Sequence, residues 1–369
     1  MTYQVTPDGN RETAGSRWYF LVLATSLSLS VLVVAAWIAV GRIVSDSRAE
    51  MEDALTTVLE ISHQGIRSWV RGEQEEALTW ASSPEVVGLT QDLLAVERSQ
   101  ESLLAAPAQN ELRSLHGRVQ AAKGYEGFFI VGPGNVSLSS SRDENVGLVN
   151  LMTSQERVLA RLWAGELVLG LPQASDVPLP TATGVLSPGR PTMFVGAPIR
   201  GPNSDVIALL TFRVDPGRDF ATIFQRGRIG TTGETYAFDE RGRLISESRF
   251  DDQLRRIGLI PEGERGILNV EIRDPGANLV EGEGTFEPDA TLPLTVMAAS
   301  ATAGEQGRNL EGYRDYRGVP VVGAWLWDPE LALGITTEID QGEAFQTMRS
   351  GRVIIIMLTL LSGLLMLGM

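Results

Sequence analysis

The chain of 369 residues has no cysteine, so disulfides and thiolate metal sites are excluded outright. It has two histidines, His63 and His116, and neither stands in a metal-ligand spacing. No metal or cofactor is expected. There is no Gly-x-Ser-x-Gly elbow, no histidine near a candidate nucleophile, and no carboxylate pair at a catalytic spacing. Enzymatic chemistry within these residues is therefore not expected. Lysine is reduced to Lys123 alone, so nearly all of the 31 basic residues are arginine. Positive charge is also in deficit: the net charge is −15, and between residues 45 and 350 acids outnumber bases 44 to 27. The acids are dispersed, as on a solvated surface, and such a region repels nucleic acid and anionic headgroups.

What is present is repetition. Leu331–Phe345 echoes Val206–Phe220 at an offset of 125 residues, with Thr211 on Thr336, Val214 on Ile339, Asp215 on Asp340 and Phe220 on Phe345. Each segment is an apolar run that becomes an alternating strand, breaks at Asp, and starts a helix-like stretch. Upstream, Phe129–Val131, a Gly-Pro-Gly-Asn turn and Val136–Arg142 match Tyr236–Phe238, an Asp-Glu-Arg-Gly turn and Arg243–Arg249 at an offset of 107. Two landmarks in the same order suggest one module used twice. The competing reading is chance similarity of short strands.

Two apolar runs bracket these modules. Trp18–Val40 carries no charge and exceeds, as a helix, the ~30 Å hydrocarbon core. Its aromatics lie near the ends, where interfacial residues belong. A signal peptide is the alternative. Val353–Met369 spans only ~25 Å as a helix and has no anchor after it, so Met369 is not expected to be the natural end of the protein. The expected organisation is a cytoplasmic tail over 1–17 and a first membrane helix over 18–40. A stalk helix with a membrane-distal module then occupies 41–225, a membrane-proximal module 226–348, and a second membrane helix 353–369. Flanking charges barely orient the spans. A large acidic loop between two helices is more often extracytoplasmic, which places residues from about 41 to 350 outside.

Within the loop, apolar residues from Val44 to Trp80 recur at helical spacing. Met51, Leu55 and Val58 form a near-heptad run that predicts a homodimer through residues 43–70. Helix is expected again over 85–123 with a break near Pro107, over Ser154–Leu167, and as a short connector over Asp219–Gln225. Gly124–Arg142 and Tyr236–Arg249 read as hairpins. Thr181–Asp215 reads as two strands. Further strands are expected at Ile267–Ile272, Leu294–Ala298, Val319–Trp327 and Leu333–Ile339, and a polar loop or helix start at Gly304–Gly312. Gly227-x-x-Gly230-x-x-Gly233 lacks a following Lys and precedes a strand, so it reads as a linker turn.

The candidate site follows from strand alternation. Thr211, Arg213 and Asp215 share one face, and Thr336, Glu338 and Asp340 share its counterpart. Arg213, with Arg142, Arg190 and Phe194, predicts a small anionic ligand, a carboxylate, in the first module. The alternative is that Arg213 pairs with surface acids. In the second module the run Tyr313-Arg314-Asp315-Tyr316-Arg317 with Trp325-x-Trp327 is dense in groups that line polar ligand sites, and Tyr236, Tyr313 and Trp325 are candidate ligand contacts; the alternative for Trp325 and Trp327 is that they cover a sheet face against the stalk helix.

The order of membrane helix, long helix, two PAS-like modules and membrane helix resembles the double Cache (dCache) sensor domains of bacterial transmembrane receptors. GRIGTTGETYAFDERGRLISESRF and EGYRDYRGVPVVGAWLWDPELALGITTEID look like the membrane-proximal module of that family. The resemblance implies an α+β fold of two antiparallel-sheet modules on a shared long helix. It also implies placement in the bacterial inner membrane and small-molecule sensing coupled to a cytoplasmic kinase, cyclase or chemotaxis output. No such output lies in these residues. Arg161-Leu162-Trp163 is followed by Ala164 where the amino-acid-binding branch of that family carries Tyr, so an amino-acid ligand is not implied. The rival functions are a membrane-tethered adhesion or scaffold ectodomain, and an enzyme whose catalytic part follows the second span.

Overall fold

The computed structural model describes residues 12–150, 152, 156–175, 177–180, 186–284 and 292–346, with 353–354, 356–357, 359–361 and 363–364. The expected tail over 1–11, the strand start over 181–185 and much of the second apolar run lie outside the described residues. Where that run is described, it is helical. Two compact units divide the chain: Met1–Ala54 with Gln341–Met369, and Leu55–Asp340.

Helix α1, Glu12–Ala81, enters from the smaller unit. From Leu23 onward it is long and apolar enough to cross a membrane, and its apolar window is not buried. In the same unit Arg48 lies 5.8 Å from the Phe345 ring centroid, just beyond the short helix α9, Gln341–Ala344.

In the larger unit α1 buries Leu55, Leu59, Ser62, Ile66, Val70, Ala77 and Ala81, an apolar stripe at helical spacing. Leu55 is fully buried inside its own chain, so it cannot be the dimer contact that the heptad run suggests. Ser83 then accepts a hydrogen bond from the Val86 amide and caps α2, Pro84–Ala95, with Pro84 in the first turn. Short α3, Gln100–Ala105, follows. Pro107 opens α4, Pro107–Lys123. That helix stops at Gly124, whose φ of 75° is the left-handed conformation that glycine adopts without a Cβ penalty.

The first sheet runs β2 (Val136–Ser140), β1 (Gly127–Gly132), β8 (Val206–Val214), β7 (Pro191–Arg200), β3 (Val168–Leu169), with β4 (Gln173–Ala174) also on β7. Helix α5, Glu156–Trp163, packs on it, and β5 (Leu179–Pro180) pairs with β6 (Leu186–Ser187). Helix α6, Asp219–Arg226, leads to the second sheet, β10 (Gly307–Arg314), β11 (Pro320–Asp328), β12 (Leu333–Asp340), β9 (Glu234–Phe238). It carries helices α7, Asp251–Arg256, and α8, Val296–Thr302.

The register shows the repeat directly. In the first sheet Phe129 pairs with Thr211 and Gly127 with Arg213; in the second Tyr236 pairs with Thr336 and Glu234 with Glu338. Every partner is displaced by the offset of 107 or 125 residues read from the sequence. The Asp239–Gly242 turn closes as expected, the Gly242 amide donating to the Asp239 carbonyl at 2.9 Å.

Three expectations are corrected. Residues from Val296 are helix, not strand, because Thr295 caps them by accepting from the Ala298 amide and because Met297, Ala298 and Ala301 form one buried face. Gly307–Arg314 is a strand, not a loop: it is a polar edge strand without apolar alternation, interrupted where Asn309 caps the amides of Glu311 and Gly312. Ile267–Ile272 joins the second module through an isolated bridge at Glu271 rather than as a strand.

One ion-pair group ties α1 to β11. The Asp328 carboxylate, fully buried, accepts from Arg67 at 2.7 and 3.0 Å, lies 2.7 Å from His63 Nε2, and also accepts from the Glu330 and Leu331 amides. Against the cost of burial, these donors hold its pKa well below the usual carboxylate value. Asp328→Ala should cost about 1–3 kcal/mol, because it orphans the amide and side-chain donors that the buried carboxylate satisfies while leaving a half-exposed Arg67, and should raise hydrogen exchange around Arg67. Because the folded pKa is lowered, the stabilisation is intact above pH 3.8 and fades only below it.

His116 gives a different acid limb. It is buried between α4 and the first sheet, its ring stacked 4.8 Å from Phe128, and burial pushes its pKa from 6.5 down to about 4. The folded chain favours the neutral ring, so stability is full above pH 6.5 and falls as pH drops toward 4. In His116→Leu the melting temperature should fall less over that interval, which calorimetry at successive pH values would read.

Candidate functional site

The two faces of the first sheet separate as the alternation requires. Phe128, Ile130, Leu210 and Phe212 face Val86, Leu112, Leu115 and Val119 of α2 and α4. On the opposite face Phe129, Val131, Phe194 and Leu209 pack with Met152, Leu159, Leu162 and Val168. This apolar floor ends in a charged group. Arg213 is only 3% exposed. Its guanidinium lies 5.0 Å from the Phe194 ring centroid and 5.8 Å from that of Phe129, and Nη1 donates to Ser175 Oγ at 3.0 Å.

Residues 170–175 run alongside β7 at this end of the sheet. The Gly170 amide donates to Phe194 and the Ser175 amide to Arg190. Arg190 lies 3.4 Å from Asp215 and 3.7 Å from Glu126. Burial raises the Glu126 pKa and Asp215 adds to the rise, while Arg190, Arg213 and Arg142 oppose it. Arg142 is joined electrostatically but reaches away to the Pro178 carbonyl at 3.2 Å. The structure thus gathers Arg190, Phe194 and Arg213 and leaves Arg142 at the margin. Among the described residues, Glu126 Oε2, Thr192 Oγ1 and Thr211 Oγ1 are buried without a hydrogen-bond partner, and such atoms are costly unless something satisfies them.

The second module is arranged differently at the equivalent positions. Glu338 replaces Arg213 and accepts from Tyr236 at 2.8 Å and Tyr313 at 2.7 Å. Its cross-strand neighbour on β11 is Gly323 where the first module has Phe194. A Cβ on Gly323 would come within 2.5 Å of the Tyr313 hydroxyl, so glycine makes that hydrogen bond possible. Trp325 faces Tyr313 edge-on at 5.9 Å and belongs to the core that includes α8, not to a surface covered by α1; its Nε1 has no partner among the described residues. The hydroxyls of Tyr236 and Tyr313 are engaged within the module.

Sequence reasoning missed Ser175 and Glu126 in the first module. It also missed Glu234 in the second, and it marks Tyr316 and Arg317 only as part of a polar, aromatic run. Glu126 had one available signal: it directly precedes the strand residue opposite Arg213. Arg161-Leu162-Trp163 is helical: Arg161 pairs with Glu166 at 2.8 Å, and Trp163 donates to Asn135 at 2.9 Å.

No family model and no curated protein match the chain in sequence. Solved structures do match. The chain is similar to the sensor domain of the V. cholerae histidine kinase DctB, with 11% identity and a TM-score of 0.46, over 80% of this chain and 98% of that one. It is similar to the ligand-binding domain of the Campylobacter jejuni chemoreceptor Tlp3, solved with L-norvaline, with 10% identity and a TM-score of 0.46, over 81% and 94%. It is also similar to that of the Pseudomonas aeruginosa PAO1 amino acid chemoreceptor PctB, solved with L-Arg, with 10% identity and a TM-score of 0.45, over 82% and 93%. The resemblance is to sensor domains of histidine kinases and chemoreceptors.

The paired threonines test whether the inner face of the first module is built for an occupant. Thr211 Oγ1 is unpartnered, whereas Thr336 Oγ1, its counterpart, donates to the Ala324 carbonyl at 3.1 Å. Thr211→Val should raise the melting temperature of the unliganded chain, because it removes an unsatisfied hydroxyl that costs about 1–3 kcal/mol. Thr336→Val should lower it. Equal losses in both would show that the two hydroxyls are alike.

Proposed function

We propose that this chain is the sensing part of a two-pass membrane receptor whose modules lie outside the cytoplasm, and that its first module binds a small anion, a carboxylate. The observation that carries this reading is Arg213: a buried guanidinium at the end of an aromatic floor, beside Arg190, with unpartnered hydroxyls on the same face. A guanidinium recognises carboxylate through paired, charge-assisted hydrogen bonds. The ligand's oxygens would supply the acceptors, and Phe129 and Phe194 would bound its apolar part. No step of this process is catalytic.

The apolar stretch of α1 supports membrane anchoring. The receptor works as a homodimer in this reading. With Leu55 buried, the pairing face of α1 is the exposed one carrying Thr57, Ile61, Gln64 and Ser68, which keeps a heptad-like spacing.

The test is thermal unfolding of the full chain in lipid nanodiscs against a panel of organic acids, amines and amino acids. Carboxylates should stabilise the wild type. Arg213→Ala should weaken binding roughly tenfold to a hundredfold, the equivalent of about 1.5–3 kcal/mol for hydrogen bonds to a charged group, and Arg213→Lys should recover part of it. Stabilisation by cations alone, or hits unaffected by either substitution, would reject the assignment.

A further inference from the structure

The second module holds an acid cluster that the anion site does not use. Glu338, Glu234 and Asp315 are 3%, 5% and 1% exposed, and Arg317 beside them is 3% exposed. Arg317 is committed to Asp315 at 2.7 Å and Asp340 at 3.0 Å, donates to Gln253, and lies over Phe250. Glu234 accepts from Tyr316 at 2.7 Å, from Ser248 at 2.8 Å and from the Arg249 amide at 2.7 Å. Glu338 accepts only from the two phenols. Among the described residues, neither glutamate touches a cation.

The facing groups can be named element by element. Strand β9 presents Glu234 and Tyr236; β10 presents Tyr313; the turn after it presents Asp315, Tyr316 and Arg317. On β12 stand Glu338 and Asp340, and β11 adds the uncharged Trp325. Helix α8 contributes Met297, Ala298 and Ala301 to this core and has no titratable residue. From the segment before α7, the Arg249 guanidinium is turned to the Gly233 carbonyl. Three buried carboxyls therefore share one buried guanidinium, itself also bonded to a fourth carboxylate. Ionising all of them would leave uncompensated charge in a closed core, which burial strongly disfavours, so the arrangement requires a retained proton.

We propose that this cluster is a proton-binding site seated at Glu338, and that release of its proton loosens β12 against β9 and β10, giving the receptor a second input besides its ligand. Burial, reinforced by Asp315 and Glu234, raises the Glu338 pKa from 4.5 to about 8. This places release at mildly alkaline pH. A phenol accepts a hydrogen bond as readily as it donates one, so Tyr236 and Tyr313 accommodate both forms of the carboxyl. The site is independent of the anion site and stands whether or not that site is filled.

The sign of the pH dependence follows from linkage. A carboxyl whose folded pKa is raised stabilises the fold fully below the unfolded value, and that contribution is lost as pH rises through the folded value. Between about pH 6.5 and 8, above the interval in which His116 acts, the wild-type melting temperature should therefore fall. In Glu338→Gln the number of protons linked to unfolding in that interval should drop by about one. The direct readout is infrared titration of the wild-type full chain in nanodiscs. A protonated-carboxyl carbonyl band should persist at pH 7, disappear between pH 7 and 9, and be lost in Glu338→Gln. If that variant fails to fold, the wild-type titration decides alone. Absence of the band at pH 7, its survival above pH 9, or an unchanged proton linkage in a folded Glu338→Gln would overturn the proposal. None of these outcomes depends on whether carboxylates bind the first module.

Discussion

A buried guanidinium can only donate hydrogen bonds, whereas the oxygens of a carboxyl group accept them. The inner face of each sheet is organised around that asymmetry at one register position of its central strand. Arg213 in the first module stands opposite Gly127 and Phe194; Glu338 in the second stands opposite Glu234 and Gly323. Around the donor the chain places ring faces, a serine oxygen and carboxylates. Around the acceptor it places phenols, and it removes a side chain at Gly323 to let one of them in. The same backbone thus yields a polar end around a donor in one copy and a carboxyl clasped by two phenols in the other.

The second constraint is the attachment of α1. The sheet faces away from these sites are committed to helices, and α1 serves the second module through the fully buried Asp328 with Arg67 and His63. Thr235 and Thr337, also hydrogen-bonded to each other, lie on that outer face, and the Thr235 hydroxyl donates to the Gly227 carbonyl. Interior packing is close enough that a shift on one face of a sheet is felt on the other. Strand β12 bears Glu338 inward and Thr337 outward, so it is the element through which a change in the core reaches the helix side.

The repeat was legible in the sequence because strand alternation and turn chemistry are local. The offsets of 107 and 125 residues map cross-strand partner onto partner, and the matching of Arg213 with Glu338 held in the register. What escaped was whatever depended on closure between distant segments. Ser175 lies 38 residues from Arg213, and Tyr236 lies 102 residues from the carboxylate it bonds. Nothing in spacing announces such pairs. Helix α8 escaped because VMAASAT is short and its cap, Thr295, reads equally well as a strand residue. Strand β10 escaped for the opposite reason: an edge strand in contact with water needs no apolar alternation. Arg142 was placed by sequence at the end of a hairpin, but the direction of a long side chain is decided by its neighbours.

The replacement of a guanidinium by a carboxyl group between the two copies has a consequence for stoichiometry. Duplicated binding modules ordinarily bring two equivalent sites and, with them, the possibility of cooperativity within one chain. Here an anion accepted beside Arg213 would meet, at the matching place in the other copy, buried acids and a carboxylate already clasped by two phenols. On the proposed reading the duplication therefore yields one anion site per chain. Cooperativity in anion binding itself would then arise between chains, not within one.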